Sequence, residues 1–354
     1  MPEIGISKAE LSLKKFHNSS GMPLSMNRDF QDIALFIAKR FGSAIVLLTG
    51  LATLIFILVH AAPGDPVNSF LSPTVPSTVA NELRHQFGLD QPLFSQYTHW
   101  LGNVLTGNFG MSFSFRRPVG EVIATFFPNT GLLAVVAILL EIICGLLLGW
   151  ICARFRGRSI DRIISNTNLM LYTLPTFWIG IVLLAVFSYW LNLVPSSQMT
   201  SIDSENLPFI QRILDFSKHL ILPAVTVAIP GIAAVARYFR TSLLNVQEEE
   251  YITYARSFGI SYRKIFFFYE LPNALTPVIT LIGLEFGTLL AGALVTETIF
   301  AWPGMGRLAV MAIIARDYPL IMGCTLISGV FVIVGNFFAD LMYLLIDPRV
   351  RVSA

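Results

Sequence analysis

The sequence predicts an all-α membrane protein of six transmembrane helices with both termini in the cytoplasm. Three observations predict it: 54% of the residues are hydrophobic and only 13% charged, six apolar runs are long enough to cross a bilayer, and Lys and Arg cluster in alternate connections. A soluble domain carries about 25% charged residues, so water is not the main solvent for this chain. A net charge of +2 over 354 residues offers no basic surface for nucleic acid.

A bilayer core takes about 17–25 apolar residues, and the six runs are 43–62, 130–153, 169–193, 220–236, 278–300 and 320–346. The fourth is the shortest and contains Pro223 and Pro230, which membrane helices accept when neighbouring groups satisfy the freed carbonyls. Trp150, Trp178, Trp190 and Tyr343 fall toward span ends, where aromatic rings meet the headgroups. With both termini inside, the inner segments hold Lys8, Lys14, Lys15, Arg28, Lys39 and Arg40, then Arg154, Arg156, Arg158 and Arg162. Arg237, Arg240, Arg256, Arg263, Lys264, Arg349 and Arg351 join them, against only Arg84, Arg116, Arg117, Arg212, Lys218, Arg307 and Arg316 outside. That bias sets the orientation.

Residues 1–40 are polar and no secretory signal peptide is expected; residues 1–27 show no periodicity and read as a disordered cytoplasmic tail. Cys144, Cys152 and Cys324 lie in apolar stretches and read as small buried thiols, not as a disulfide or metal framework. The external loop 63–129 predicts two amphipathic helices, one through Val79, Leu83 and Phe87, the other through Leu93, Tyr97, Trp100, Leu101, Val104 and Leu105. Two readings stay open for them: a docking surface or gate for a delivery protein, or a cap on the membrane surface.

Between the fourth and fifth spans, residues 237–277 read as helix, turn, helix. Glu248, Glu249 and Glu250 suit a helix N-terminus, Arg256 a C-terminus, and Gly259 the left-handed residue that ends the helix. Ser261 is placed to cap a second helix that is expected to run to Pro272. Tyr251, Ala255 and Phe258 fall on one side, which suits a groove on another protein; an ordinary solvated loop is the alternative.

The run Tyr251-Ile-Thr-Tyr-Ala255-Arg256-Ser-Phe-Gly259, followed by Leu271-Pro272 and Asn273-Ala-Leu-Thr-Pro277, resembles the signature loop of ABC importer permeases, the EAA loop. The match is to the first, B-type membrane subunit of the dipeptide, oligopeptide and nickel permease family, over residues 28–351. It also rests on Pro63-Gly-Asp-Pro66, Phe87-Gly-Leu-Asp-Gln-Pro-Leu93, Arg117-Pro-Val119 and Leu174-Pro-Thr-Phe-Trp-Ile-Gly180. Glu297-Thr-Ile-Phe-Ala-Trp-Pro-Gly-Met-Gly306, Arg316-Asp-Tyr-Pro319 and Asp347-Pro-Arg349 complete it in the same order. Thr253 and Tyr254 stand where the general loop pattern has an acidic residue and an alanine, so no glutamate role is assigned there.

The resemblance implies a type I importer permease (MetI-like) fold in the bacterial inner membrane. It also implies an importer that moves di- or oligopeptides inward, coupled to ATP hydrolysis by a partner. Tyr251, Ala255, Arg256, Gly259, Leu271 and Pro272 are then the residues that couple to the ATPase. The implied assembly adds a homologous second permease, two ABC ATPase subunits and an external substrate-binding protein. No G-x-x-x-x-G-K-[ST] sequence occurs, so a phosphate-cradling loop comes from a partner; the resemblance implies that ATP and Mg are bound there and that this chain is a non-catalytic subunit with no cofactor of its own. Nickel chelates or antimicrobial peptides are alternative cargoes on the same scaffold.

Glu141 falls in the middle of the second span and Glu285 in the fifth, where a carboxylate is costly and faces protein or water. Each is either a substrate-pathway residue or a packing carboxyl; Gly283 and Gly287 flank Glu285 and permit close helix approach. Glu297, a third pathway candidate, and Asp340 lie nearer span ends and suit structural hydrogen bonding. A proton-driven secondary transporter working through Glu141 is the rival reading, but the inverted repeats it needs are not visible. An intramembrane enzyme lacks support: His17, His60, His85, His99 and His219 form no H-E-x-x-H, and no metal site is expected.

Overall fold

The computed structural model describes the backbone of residues 26–61 and 90–346, and the side chains of 37–61 and 90–341. The expected tail over 1–27, the helix through Val79 and Phe87, and the motifs at 63–66 and 347–349 lie at or beyond the limits of the described residues.

The described chain is helical throughout: α1 (Met26–Ala61), α2 (Leu93–Leu105), α3 (Val119–Arg154), α4 (Ser159–Thr173) and α5 (Thr176–Leu183) come first. Then follow α6 (Phe209–Gln247), α7 (Glu250–Ser257), α8 (Tyr262–Ile265), α9 (Leu271–Leu290), α10 (Leu294–Ile299), α11 (Met305–Ile314) and α12 (Tyr318–Ile346). Five segments are long and apolar enough to cross a membrane: Ile37–Ala61, Val119–Arg154, Phe209–Gln247, Tyr262–Leu290 and Tyr318–Leu341.

The region expected to give one span over 169–193 differs from that expectation. There the chain forms a bent pair, α4 and then α5 with its π-helical extension to Trp190, meeting at 106° between Thr173 and Thr176, which counts as a sixth span only when the pair is taken together. Pro175 causes the break, because its ring disfavours helical geometry at Leu174, whose ψ is 138°.

The fourth span, the shortest in the sequence, is the 39-residue helix α6 and the most interior one: 61% of its apolar core is buried, against 33% or less in the other four. It runs unbroken through Pro223 and Pro230. Helix α3 packs along it, with Leu133, Ala137, Ala224, Val227, Ala228 and Trp302 forming a buried cluster.

The fifth span also differs from its expected extent. Helix α9 stops at Leu290, not at 300, because Gly292 turns the chain with φ +119° and α10 starts a new direction. Residues 294–304 then fold back on α3: the Trp302 indole N–H donates to the Asn129 carbonyl (3.0 Å) and the Asn129 amide donates to the Pro303 carbonyl (2.8 Å). Gly283 and Gly287 bring α9 close to α12, where a Cβ on Gly283 would meet Ala339 Cβ at 2.7 Å. Gly287 lies against Gly335 in the same way.

Helix α2 forms where the apolar stripe predicts it and packs on the end of α1. The Tyr97 and Trp100 rings lie against Phe56, and the Tyr97 hydroxyl is 2.8 Å from that of Thr53. The fully buried Asp317 fastens the strand-like segment after α2, accepting from the Ser112 hydroxyl (2.6 Å) and the Ser114 N–H (2.8 Å). Cys152 and Cys324 are buried free thiols and Cys144 is a half-buried one.

Candidate functional site

The hairpin between α6 and α9 forms from local rules. Helix α6 runs on to Gln247, so Glu248 caps its C-terminal end and pairs with Arg156 at 2.7 Å instead of opening the next helix, as the acidic run had suggested. Glu249 precedes α7 without a side-chain cap bond, and only Glu250 lies in its first turn. Gly259 sits at φ +73°, as expected, and the turn closes with two bonds: Gly259 N–H to the Arg256 carbonyl (3.0 Å) and Ile260 N–H to the Ala255 carbonyl (3.2 Å). That paired pattern satisfies the last carbonyls of α7 and reverses the chain in two residues.

Ser261 holds the N-cap position of α8 without a side-chain cap bond. The second helix does not end at Pro272. A π-helical turn over Phe266–Glu270 joins α8 to α9, and Pro272 lies in the first turn of α9, exposed. The wider turn gives room for the proline ring, which in a regular helix collides with the carbonyl four residues back, at Phe268.

Inside the hairpin, Ile252, Ala255 and Ile265 form a buried cluster with Val246 and Ile260 packed on it. Ala255, expected beside Tyr251 and Phe258 on the outer face, is only 8% exposed and belongs to this interior. The exposed side chains of the hairpin are largely aromatic: Phe258 is 83% exposed and Tyr251, Tyr254 and Tyr262 are exposed as well, while Phe267 and Phe268 are exposed in the π-helical turn that leads into the fifth span. Burial, followed by the charges of Glu249 and Glu270, pushes the Tyr251 phenol up from its ordinary value, so it stays a neutral hydroxyl donor. An aromatic patch this open marks a surface that meets another molecule.

Arg256 has a role the sequence did not display. It reaches inward to the fully buried Glu270, Nη2 to Oε1 at 3.3 Å, while the Gln247 amide donates to Glu270 Oε2 at 2.9 Å. Glu270 thus joins the end of α6, α7 and the head of α9. Leu271 is half-buried against the cluster of Val235, Phe239, Leu243 and Val278. No motif had marked Glu270; its only signal was an acidic residue directly before an apolar run.

The same end of the bundle carries a second clamp. Arg240 of α6 donates twice to the buried Asp161 of α4, Nε at 2.9 Å and Nη2 at 2.8 Å, and the Gly157 N–H adds a third bond at 2.9 Å. Beside it lies a cavity of about 590 Å³, between α4 and α6, with Ser165, Asn166, Asn168, Tyr172, Arg237 and Thr241 in its wall. Polar residues scattered over two distant segments left it invisible in the sequence.

The three candidate carboxyls part company. Glu141 is fully buried against Gly231 of α6, and neither of its oxygens has a hydrogen-bond partner among the described residues. Glu285 of α9 is the carboxyl that neighbours it, so the structure brings together two residues that sequence reasoning had weighed separately. Glu297 is buried and satisfied: it accepts from the Thr130 hydroxyl (2.8 Å) and the Arg307 N–H (3.0 Å), which ties α10 and α11 to α3. Asp340 pairs with Arg40 at 2.7 Å and links α12 to α1. Among the described residues no group of three or more His, Cys, Asp and Glu side chains could hold a metal ion.

Residues 145–352 match the family model described as binding-protein-dependent transport system inner membrane component, and residues 33–134 match its N-terminal companion. The chain is 37% identical to the oligopeptide transport system permease protein AppB of Bacillus subtilis, over 90% of this chain and 100% of that one. It is 38% identical to the di/tripeptide transport system permease protein DppB of Pseudomonas aeruginosa (89% and 98%). Identity to the dipeptide transport system permease protein DppB of Escherichia coli K12 is 36% (89% and 98%). In architecture it is similar to a chain of the inward-facing MetNI methionine ABC transporter, with a TM-score of 0.51 over 64% of this chain and 97% of that one. At 14% identity that likeness shows the fold alone, a MetI-like permease fold. The chain belongs to the family of binding-protein-dependent transport system inner membrane components: it is a multi-pass permease subunit of the inner membrane and not a catalytic one.

Proposed function

We propose that this chain forms half of the translocation path of an ATP-driven importer of di- or oligopeptides. The observation that carries the reading is the α7–α8 hairpin. It is a compact helix pair with a buried core of its own and an outward aromatic face, and it carries the run that resembles the signature loop of importer permeases. The face docks on an ATPase subunit in the cytoplasm, centred on Phe258, with Tyr251, Tyr254 and Gly259 around it. Arg256, Ala255, Leu271 and Pro272 act from behind, holding the hairpin's shape and its tie to α9. A partner that binds this face more tightly in one nucleotide state biases the permease between inward and outward access.

The peptide cargo is supported by the relatives named for oligopeptide and dipeptide transport. The complete assembly comprises this chain, a second permease, two ATPases with their ATP and Mg, and an external binding protein. The distribution of Lys and Arg supports a cytoplasmic side for both termini and the hairpin. Residues 28–351 form the permease domain behind a short tail. Glu141 and Glu285 supply the acidic element that senses cationic groups of the cargo as the helices part, while Glu297 holds the fold.

Reconstitution of the complete importer tests the reading. Proteoliposomes carrying it should take up dipeptides from an equimolar mixture only when ATP and the binding protein are present. Uptake that persists without ATP and follows a proton gradient instead would select the secondary-transporter alternative and overturn this one.

A further inference from the structure

We infer that Glu270 is the joint through which the hairpin moves the fifth span, a positioning residue that acts through Arg256 and Gln247; this rests on the coupling role proposed above. Three observations meet at that side chain. Glu270 is fully buried, although its chain neighbour Tyr269 is exposed. Both of its oxygens are used, Oε1 by Arg256 at 3.3 Å and Oε2 by Gln247 at 2.9 Å, so each oxygen answers to a different helix. Its own backbone ends the π-helical turn of Phe266–Glu270, the one place between the hairpin and α9 where the regular helical ladder is interrupted.

These features have a mechanical meaning. A π-helical turn interrupts the regular ladder, its hydrogen bonds being out of step with those on either side. The apolar contacts of the hairpin do not span that interruption: Ile252, Ala255 and Ile265 pack on one another and on Val246 and Ile260, all within the hairpin or at the end of α6. A displacement of α7 reaches α9 by two routes: through the apolar contact with Ile265 of α8, which runs on through the π-helical turn into α9, and directly through the Arg256–Glu270 pair, which bypasses that turn. Gln247 fixes the other oxygen to α6, so the carboxylate also sets the angle between the two spans that enter and leave the hairpin. Charge-assisted bonds that are buried on one side hold such an angle far better than apolar contact, since they are directional.

The substitution Glu270→Ala removes the joint while leaving the aromatic docking face untouched. Glu270→Gln keeps size and the capacity to accept from Gln247 but weakens the Arg256 bond, and it guards against an Ala variant that fails to fold. In the complete importer, nucleotide is trapped in the ATPase with vanadate and amide hydrogen exchange is compared with the nucleotide-free state. In the parent, trapping should change exchange in residues 250–265 and in 271–290 together. In both variants the ATPase should stay bound and hydrolyse ATP, and the change should remain in 250–265 but shrink severalfold in 271–290. Dipeptide uptake per ATP hydrolysed should fall on the order of tenfold, the weight of one buried charge-assisted bond. Arg256→Ala should reproduce the loss, and the double variant Arg256→Ala with Glu270→Ala should add little to either. If α9 in the variants responds to trapping as it does in the parent, or hydrolysis and uptake fall in equal proportion, Glu270 is not the joint. If instead the parent complex shows no nucleotide response in 250–265, the coupling reading itself fails, and the two failures are told apart.

Discussion

Arg240 holds Asp161 through two near-parallel hydrogen bonds of 2.9 and 2.8 Å, and so pins the start of α4 to the last third of α6. Asp161 is buried and Arg240 is partly open to solvent, an arrangement in which the carboxylate has most to lose. Asp161→Ala strands the guanidinium and the Gly157 N–H together. We expect a loss of about 1–3 kcal/mol, the range for a charge-assisted bond that is only partly desolvated, read as a lower detergent-melting temperature of the purified subunit. Asp161→Asn, which can still accept from Gly157, should lose less. An unchanged melting temperature for the Ala variant would show that the clamp carries no net stability.

Gly259 at φ +73° closes the hairpin turn in a conformation that side chains with a Cβ rarely adopt. Nothing lies within 4 Å of a Cβ built there, so a substitution there is costly through backbone strain, not collision. Gly259→Ala should cost about 1 kcal/mol locally, and Gly259→Asp should reduce ATP-driven uptake further by adding a charge beside the aromatic face. Both variants should insert and co-purify with the second permease, which separates a turn defect from a misfolded chain.

Phe258, 83% exposed, is the centre of the face assigned to the ATPase. Phe258→Ala alone, and more so with Tyr254→Ala, should weaken retention of the ATPase by a factor of at least about ten, since an aromatic anchor of an interface is worth on the order of 2 kcal/mol. The melting temperature of the subunit without its ATPase should not change. Retention equal to the parent would move the docking surface elsewhere.

Glu297→Ala removes the acceptor for the Thr130 hydroxyl and the Arg307 N–H and opens a void where Gly304 and Gly306 crowd the carboxyl. About 3 kcal/mol or more is at stake for a buried network of this kind, enough to lower expression sharply. Glu141→Gln is expected to behave in the opposite way. Its oxygens have no partners to lose among the described residues, so assembly and expression should match the parent while uptake of cationic relative to neutral dipeptides shifts. The same ratio in variant and parent would remove Glu141 from the pathway.

Most of the crossings were legible because hydrophobic runs of bilayer length admit few other structures. The errors have a common cause. Runs of apolar residues report solvent, not direction, so the bend at Pro175 and the turn at Gly292 were hidden inside apparently continuous spans. Pro272, by contrast, suggested an end that the structure does not have, because a π-helical turn absorbs it. In the hairpin, the turn at Gly259 could be read from one residue type. The inward place of Ala255 and the link from Arg256 to Glu270 could not, since both depend on which side of α7 meets α8. The meeting of Glu141 and Glu285, far apart along the chain, was beyond any local pattern.

The elbow between α4 and α5 dictates what may surround it. The hydroxyl of Thr173 takes up the carbonyl of Met170, but those of Leu171, Tyr172 and Thr173 have no next turn of helix to donate to them. Acyl chains offer no donors, so main-chain oxygens of this kind are satisfied by moisture or by another polypeptide and not by hydrocarbon. A neighbour seated on that flank must bring hydrogen-bond donors of its own.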